Sequence, residues 1–204
     1  TFPHAPAGGT AGYSLIVYRT NISGTAVNRL FYFYDSQGGI FDFSTTFDDD
    51  FISTIPANAG VLNGGGNVRK AIVGEDGKLY ITNGINLAQF DGVTGINGTL
   101  NRTRVVLPVN WVMTDLFKVK SFLGVCAHKQ VGNETYNTEA AVFYWDYISD
   151  SFNFFVPISD NIIEEAKTIG GEVFLLTSGH SLGYSLQRVT LTGSQLIKNF
   201  KIDI

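Results

Sequence analysis

The chain has 204 residues, of which 44% are hydrophobic and 13% aromatic, and its formal net charge is −4. The 14 Lys and Arg residues are scattered along the chain, so nucleic acid is not expected as a direct ligand. The single cysteine, Cys126, excludes an intrachain disulfide, and its apolar surroundings predict a small buried side chain rather than a reactive thiol.

The residue types are those of a sheet protein. Sixteen Phe and nine Tyr suit a pleated, half-buried surface, and 23 Gly can supply the turns between short strands. The apolar runs are much shorter than the roughly 20 residues that cross a bilayer, so no membrane span is expected. Because the chain begins with Thr1, it is expected to be a mature or excised piece of a longer protein.

The first repeated unit is predicted at about 12–46, with strands at 12–17, 30–35 and 39–45. Residues 1–11 contain no strand pattern, so a missing strand of this unit is expected from another segment of the full protein. The segment 47–67 has the character of a loop, as do 92–103 and 130–139.

Three further units follow in chain order, at about 68–108, 112–158 and 163–202. Each is predicted to contain four strands joined by short polar or glycine-bearing turns. The predicted strands are 68–73, 77–82, 87–91 and 102–108, then 112–120, 121–126, 141–147 and 151–158, and finally 163–169, 171–176, 185–191 and 194–202.

The recurrence predicts the fold class. Similar apolar strands begin at residues 77, 121 and 171, and several strands are apolar on both sides, as in sheets that are covered on both faces. We therefore predict an all-β, β-propeller-like protein of about four antiparallel four-stranded blades, forming a single domain over 1–204. Four blades are few for a ring, so the chain is expected to be part of a larger one. A β-sandwich is the alternative.

Two loop motifs could carry chemistry. Asp48, Asp49 and Asp50 offer the oxygen ligands that calcium prefers, but they lack the spacing of an EF-hand, and a solvated loop is the simpler interpretation. The Gly-Gly-Gly run at 64–66 is not a phosphate cradle, because no Gly-Lys-Ser/Thr follows it. The neighbouring Arg69 and Lys70 are predicted to belong to a strand.

The histidines do not form a sequence motif. His4, His128 and His180 lie far apart, without a second His or Cys at metal-ligand spacing. His128 and His180 each follow the inner strand of a unit, so they are expected either on one shared rim or as ordinary polar loop residues.

Asp35, Asp91 and Asp146 occupy matching repeat positions, which predicts a turn role, with a shared carboxylate end as the alternative. No Gly-x-Ser-x-Gly elbow occurs, so a Ser-His-Asp triad has no sequence marker. The sequence therefore assigns no catalytic residue, no cofactor-binding residue and no metal ligand, and it predicts no cofactor and no enzyme activity.

Four Asn-x-Ser/Thr sequons fall in predicted loops. They would be glycan sites in a eukaryotic secreted protein, or they arise by chance in a chain rich in Asn and Thr. They begin at Asn21, Asn97, Asn101 and Asn133.

The segment 77–84, Gly-Lys-Leu-Tyr-Ile-Thr-Asn-Gly, is followed by Leu-Ala-Gln-Phe-Asp-Gly at 87–92. This pair of segments resembles blades of virion propellers in tailed bacteriophages, such as tail nozzle and DNA-stabilising plug proteins. The resemblance implies a structural role in a virion or tail, with other virion proteins or symmetric copies of the chain as partners, and a host-surface glycan as a further possible ligand. It also implies a virion or extracellular location.

Three functions are therefore carried forward from the sequence. The first is a non-enzymatic structural or interaction propeller of a phage virion. The second is a propeller that binds or cleaves carbohydrate, although the Ser-x-Asp-x-Gly-x-x-Trp box of sialidases is absent. The third is a scaffold that binds other proteins. Fold alone does not decide among them.

Overall fold

The computed structural model describes residues 14–22, 25–34, 37–41, 51–54, 62, 69–91, 99–130, 137–179 and 183–201. Within these residues all regular structure is β, and sixteen strands form four antiparallel sheets of four strands, each in chain order. The predicted all-β, β-propeller-like class of four-stranded antiparallel blades is thereby confirmed. Over the same residues, no helix of the length and apolarity of a membrane span occurs.

The chain forms two compact units. The first comprises the described residues within 1–83 and 87–104, and the second those within 84–86 and 105–204. The strands of sheets 1 and 2 are β1 Ser14–Ile22, β2 Thr25–Tyr34, β3 Gln37–Phe41, β4 Phe51–Thr54, β5 Ala71–Val73, β6 Leu79–Asn83, β7 Asn86–Asp91 and β8 Thr99–Val106. Those of sheets 3 and 4 are β9 Trp111–Val119, β10 Phe122–Gln130, β11 Asn137–Trp145, β12 Phe154–Ile158, β13 Ile162–Ile169, β14 Glu172–Ser178, β15 Gly183–Val189 and β16 Ser194–Lys201.

Sheets 1 and 2 pack together in the first unit through alternate side chains of their strands. Tyr18 and Phe31 of sheet 1 meet edge to face with ring centroids 5.5 Å apart, and Phe31 lies 5.6 Å from Phe90 of sheet 2. Leu79 and Ile81 of β6 are fully buried in the same cluster. Because side chains alternate along a strand, the opposite face of sheet 1 is left outside this core.

Sheets 3 and 4 pack together in the second unit in the same manner. Tyr144 of sheet 3 is fully buried and donates its hydroxyl to the carbonyl of Thr190 at 3.1 Å, and burial raises its pKa. Cys126 is fully buried in this core, as the sequence predicts. The shared cluster is completed by Phe117, Ala140, Val142, Val156, Ile158, Ile163, Ala166, Val173, Leu175 and Val189.

The first hairpin of sheet 4 shows how its turn is encoded. Ile169 pairs with Glu172, so Gly170 and Gly171 form a two-residue turn, and both have positive φ, of 60° and 83°. A turn with two left-handed residues matches the twist of antiparallel strands, and glycine adopts it without strain.

β9 and β13 each contain a bulge at the same distance from their hairpins. In β9 the pairing skips Thr114 between Met113 and Asp115, and in β13 it skips Glu164 between Ile163 and Glu165. A bulge reverses which face the following residues occupy. Asp115 therefore points toward sheet 4, although Met113 two residues earlier lies on the other face.

Three sequence expectations need correction. The fourth strand of sheet 1, β4, lies within 47–67, which was expected to be a loop, so this sheet has four strands without one from another segment of the full protein. Asn21 and Asn101 lie in strands β1 and β8 rather than in loops. Arg69 and Lys70 precede β5 instead of belonging to a strand. For β4, Asn21 and Asn101, pairing with a neighbouring strand, which a local pattern does not report, decides the conformation.

Candidate functional site

Asp146 organises the turn that follows β11. Its Oδ1 accepts the backbone N–H groups of Ile148 at 3.0 Å and Ser149 at 2.8 Å. Its Oδ2 accepts the Ser149 hydroxyl at 2.7 Å and the Asn153 amide at 3.0 Å. The backbone bond from Ser149, helped by the other donors, holds the pKa of Asp146 well below its usual range. The predicted turn role is confirmed for this residue, and Asp91, its repeat counterpart, ends β7.

His128 lies inside β10, between Val112 of β9 and Ala140 of β11, and not in a loop as one expectation had it. Burial lowers its pKa, and the nearby Glu164 carboxylate opposes that shift. Among the described residues its buried Nδ1 has no hydrogen-bond partner. A half-buried imidazole in this setting favours the neutral form.

Asp115 is a buried carboxylate that joins sheet 3 to sheet 4. Oδ1 accepts the N–H of Leu116 at 2.8 Å, and Oδ2 accepts the N–H of Ala166, on β13, also at 2.8 Å. Both strands are edges of their sheets, and Thr168 adds a second link by donating to the carbonyl of Lys118 at 3.0 Å. The carboxylate thus accepts a hydrogen bond from the Ala166 N–H, a backbone group that an edge strand would otherwise leave unpaired.

A second buried polar cluster lies within sheet 4, where Thr177 and Gln187 are both fully buried. The Thr177 hydroxyl donates to Asp160 Oδ2, and Gln187 Nε2 donates to the same oxygen at 3.0 Å and to Ser159 Oγ at 3.1 Å. These bonds fix the carboxylate of Asp160 in the connection between β12 and β13.

Arg69 is a buried charged residue of the first unit that also binds backbone groups. It is fully buried, and its Nη1 donates to the carbonyl of Thr82 at 3.0 Å and to Asn83 Oδ1 at 3.4 Å. Asn83 in turn donates to the carbonyl of Arg102 at 3.4 Å. The guanidinium thus ties the segment before β5 to β6 and, through Asn83, to β8.

An open cleft of about 380 Å³ in the second unit is lined by residues of β9, β11, β12 and the connection from β12 to β13. Trp111 and Phe143 meet edge to face at 5.1 Å, and Phe155, which is 57% exposed, lies 5.5 Å from Phe143. Trp111 is positioned by a tight turn in which Asn110 has φ 71°. The remaining lining residues are Pro108, Glu139, Ala140, Ala141, Pro157, Ile158, Ser159, Asp160 and Asn161.

The lining of the cleft contains both aromatic and polar side chains. Asp160 Oδ2 is held by Thr177 and Gln187, whereas Oδ1 has no hydrogen-bond partner among the described residues. Glu139 forms an ion pair with Lys129 at 2.9 Å. Such a lining could hold a ligand that has both a flat apolar face and hydrogen-bonding groups.

Several candidate positions lie outside the described residues. They are Asp35, Asp48, Asp49, Asp50, Gly64, Gly65, Gly66, Asn97, Asn133, His4 and His180. In the part of the chain that is described, no group of three or more His, Cys, Asp or Glu side chains is placed to hold a metal ion.

The sequence did not reveal the buried polar residues of the second unit. Asp115 is the one carboxylate in β9, a strand of mostly apolar residues, and that irregularity is the signal that could have found it. Asp160 and Gln187 have no such signal, because they are joined by a contact across 27 residues of chain.

No protein-family model matches the chain, and no curated protein matches it. Among solved structures, the chain is similar to a neuraminidase-like protein from A/bat/Guatemala/164/2009, with 10% sequence identity and a TM-score of 0.45. The superposition covers 97% of this chain and 59% of the other, so the chain spans less than two thirds of that protein. A similarity this distant assigns neither a family nor an activity.

Proposed function

We propose that the chain is a non-enzymatic structural and interaction module of propeller-like blades, and that it is a virion or tail component of a tailed bacteriophage. Its partners are other virion proteins or copies of itself, and it acts in the virion or otherwise outside cells.

The observation that carries this proposal is the outer face of sheet 4, the side that points away from sheet 3. We define it by Ile169, Phe174, Leu176, Tyr184, Leu186 and Phe200, together with the charged residues Glu165, Lys167, Glu172, Arg188 and Lys198. Ile169 is 62% exposed, and Tyr184 and Phe200 are 36% and 38% exposed. Apolar side chains grouped on one exposed sheet face are typical of a surface that packs against another protein.

The buried polar side chains support a structural role as well. Asp115 accepts backbone N–H groups of two strands, and Arg69 donates to the backbone of β6. Asp146 is occupied by the donors of its own turn. Groups that could take part in chemistry are here committed to holding the backbone.

The phage setting rests on the resemblance of residues 77–92 to virion propellers. In the structure residues 77–91 of this segment contain the hairpin of β6 and β7, the two central strands of sheet 2, and Leu79, Tyr80 and Ile81 are fully buried. Most of the residues that carry the resemblance are therefore buried in the blade.

The test is quantitative mass spectrometry of purified particles of the phage that encodes the chain, with antibody labelling in the electron microscope. We expect the chain in a fixed copy number per particle and label at one structural location. A chain that is abundant in infected cells but missing from purified particles would refute the virion role. A known capsid protein and a host cytoplasmic protein are the positive and negative controls.

A further inference from the structure

The packing of sheet 3 on sheet 4 provides a template for a second interface. On sheet 3, the face that contacts sheet 4 includes Asp115, Cys126 and Tyr144. The Asp115 carboxylate accepts a hydrogen bond of 2.8 Å from the N–H of Ala166 on β13, an edge strand of sheet 4. The apolar core around these residues is formed between the same two faces.

The residues on the outer face of sheet 4 align one by one with those on the face of sheet 3 that contacts sheet 4. The hairpins align Val119–Phe122 with Ile169–Glu172, and the bulges align Thr114 with Glu164. Glu165 therefore occupies the position of Asp115, directly after the bulge. Along β14 and β15, the residues Phe174, Leu176, Tyr184 and Leu186 take the positions of Gly124, Cys126, Ala140 and Val142.

Sheet 1 presents the complementary face. Its core with sheet 2 uses Tyr18 and Phe31, whereas Leu15 and Val17 on the other face are 59% and 57% exposed. When the first hairpin of sheet 1 is aligned with that of sheet 4, this exposed face of sheet 1 matches the face of sheet 4 that contacts sheet 3. We call it the free face of sheet 1, defined by Leu15, Val17, Arg19, Asn28 and Leu30.

The register also identifies the charged pair of such an interface. The first hairpin of sheet 1 closes at Ile22–Thr25, as that of sheet 4 closes at Ile169–Glu172, so Arg19 occupies the position of Ala166. Arg19 is exposed on the free face of sheet 1. Glu165, which forms an ion pair with Lys167 at 3.0 Å, lies on the outer face of sheet 4. Arg19 and Glu165 thus hold the positions that correspond to Ala166 and Asp115, the two residues that meet between sheets 4 and 3.

We propose that the outer face of sheet 4 binds the free face of sheet 1 in a second copy of this chain, with Glu165 of one copy against Arg19 of the next. The two faces are different, so the contact is head to tail, and repetition gives a ring or an open chain of copies. The inference rests on the proposed interaction function and names its partner. The exposed apolar side chains are buried, and the charged pair sets the register.

The experiment reverses the charges in the full-length chain and measures mass against concentration by analytical ultracentrifugation. We expect the unaltered protein to self-associate. Arg19→Glu and Glu165→Arg should each raise the dissociation constant at least about tenfold, because like charges then face each other. The double variant, with the charges exchanged, should associate again.

Mixing the two single variants gives a sharper result. Every contact between unlike copies then pairs opposite charges, whereas every contact between two copies of the same variant pairs like charges. We expect an equimolar mixture to associate as the unaltered protein does, with the two variants in equal numbers in each assembly when one of them carries a mass label. Recovery on mixing also shows that each single variant is folded. A mixture that associates as weakly as either variant alone contradicts the charged pair.

Glu139→Arg is the matched control, since it reverses a charge on an exposed side chain outside both faces and should leave association unchanged. If Glu165→Arg does not fold, Val17→Lys at an exposed position tests the same junction from the other side. A protein that stays monomeric at all concentrations, or one whose association is unaffected by the charge reversals, overturns the proposal. Neither result changes the particle mass spectrometry, so self-association and the virion role fail separately.

Discussion

Gly124 is the position where the packing of sheet 3 allows no side chain. A Cβ placed there would overlap the ring of Phe117 on the paired strand β9, and Phe117 is itself buried edge to face against Tyr144 at 6.2 Å. We expect Gly124→Ala to lower the free energy of unfolding by about 2 kcal/mol, because an overpacked core must displace a ring that has little room to move. Urea denaturation followed by fluorescence measures the loss.

Gly193→Ala is the control for this substitution, because nothing lies within 4 Å of a Cβ at that position. It should change the stability very little. Adding Phe117→Leu to Gly124→Ala should cost less than the sum of the two single substitutions, since the smaller side chain vacates the overlapping volume. Strict additivity would contradict the steric explanation.

His128 should make the protein less stable in mild acid. Its folded pKa lies below the ordinary value, so the unfolded chain takes up the proton first, and stability is lost as the pH falls through about 6.5 toward the folded pKa. We expect His128→Gln to reduce the decrease in melting temperature between about pH 7.5 and pH 5.5.

His4 and His180 are present in both proteins, so their titration is common to both melting series. Glu164→Gln provides the opposite control, because removing the carboxylate that raises the His128 pKa should enlarge the acid sensitivity. An identical pH dependence with and without His128 would rule out this assignment.

At the scale of residues, the sequence predicted what depends on local surroundings. The burial of Cys126 follows from its apolar run, and the turn role of Asp146 follows from its place after an aromatic strand. Asp115 was not predicted, because its partner Ala166 is 51 residues away and the register of two strands decides their contact.

Between elements, Asp115 links β9 to β13 in the second unit through a buried hydrogen bond. We expect Asp115→Ala to cost about 3 kcal/mol of unfolding free energy, because it leaves the N–H groups of Leu116 and Ala166 buried without their acceptor. Thermal and urea denaturation measure the loss, and hydrogen exchange at Ala166 reports whether the link is broken locally.

Asp150→Ala is the matched control, since Asp150 is an exposed carboxylate in the turn after β11. It should change the stability by less than about 0.5 kcal/mol. Equal effects of the two substitutions would mean that the bond between β9 and β13 contributes nothing measurable.

The sequence located most strands, because their apolar runs end at clear turn signals such as Gly170-Gly171. It missed β4, Phe51–Thr54, which is only four residues long and lies in a segment rich in acidic residues and glycine. A short edge strand gains its conformation from one neighbour, here β3, and its own residues encode little of it.

At the scale of the whole molecule, composition and recurrence predicted four antiparallel sheets. High aromatic and glycine content predicted strands and turns, and the repeated apolar hairpins predicted sheets that cover one another. The pairing of one sheet face with the next was not predictable, because it depends on bulges and register shifts that a single strand does not display. The head-to-tail contact proposed above depends on those registers.

The two bulges also bear on the history of the chain. A skipped residue stands at the same place in β9 and β13, whereas the pairing of β1 with β2 runs without a shift from Ser14 to Ile22. Bulges are inherited within families, and a segment that already contains one transmits it to both descendants when it is duplicated. The common position of the bulge in sheets 3 and 4 is what duplication of a single bulge-containing segment would leave in both sheets.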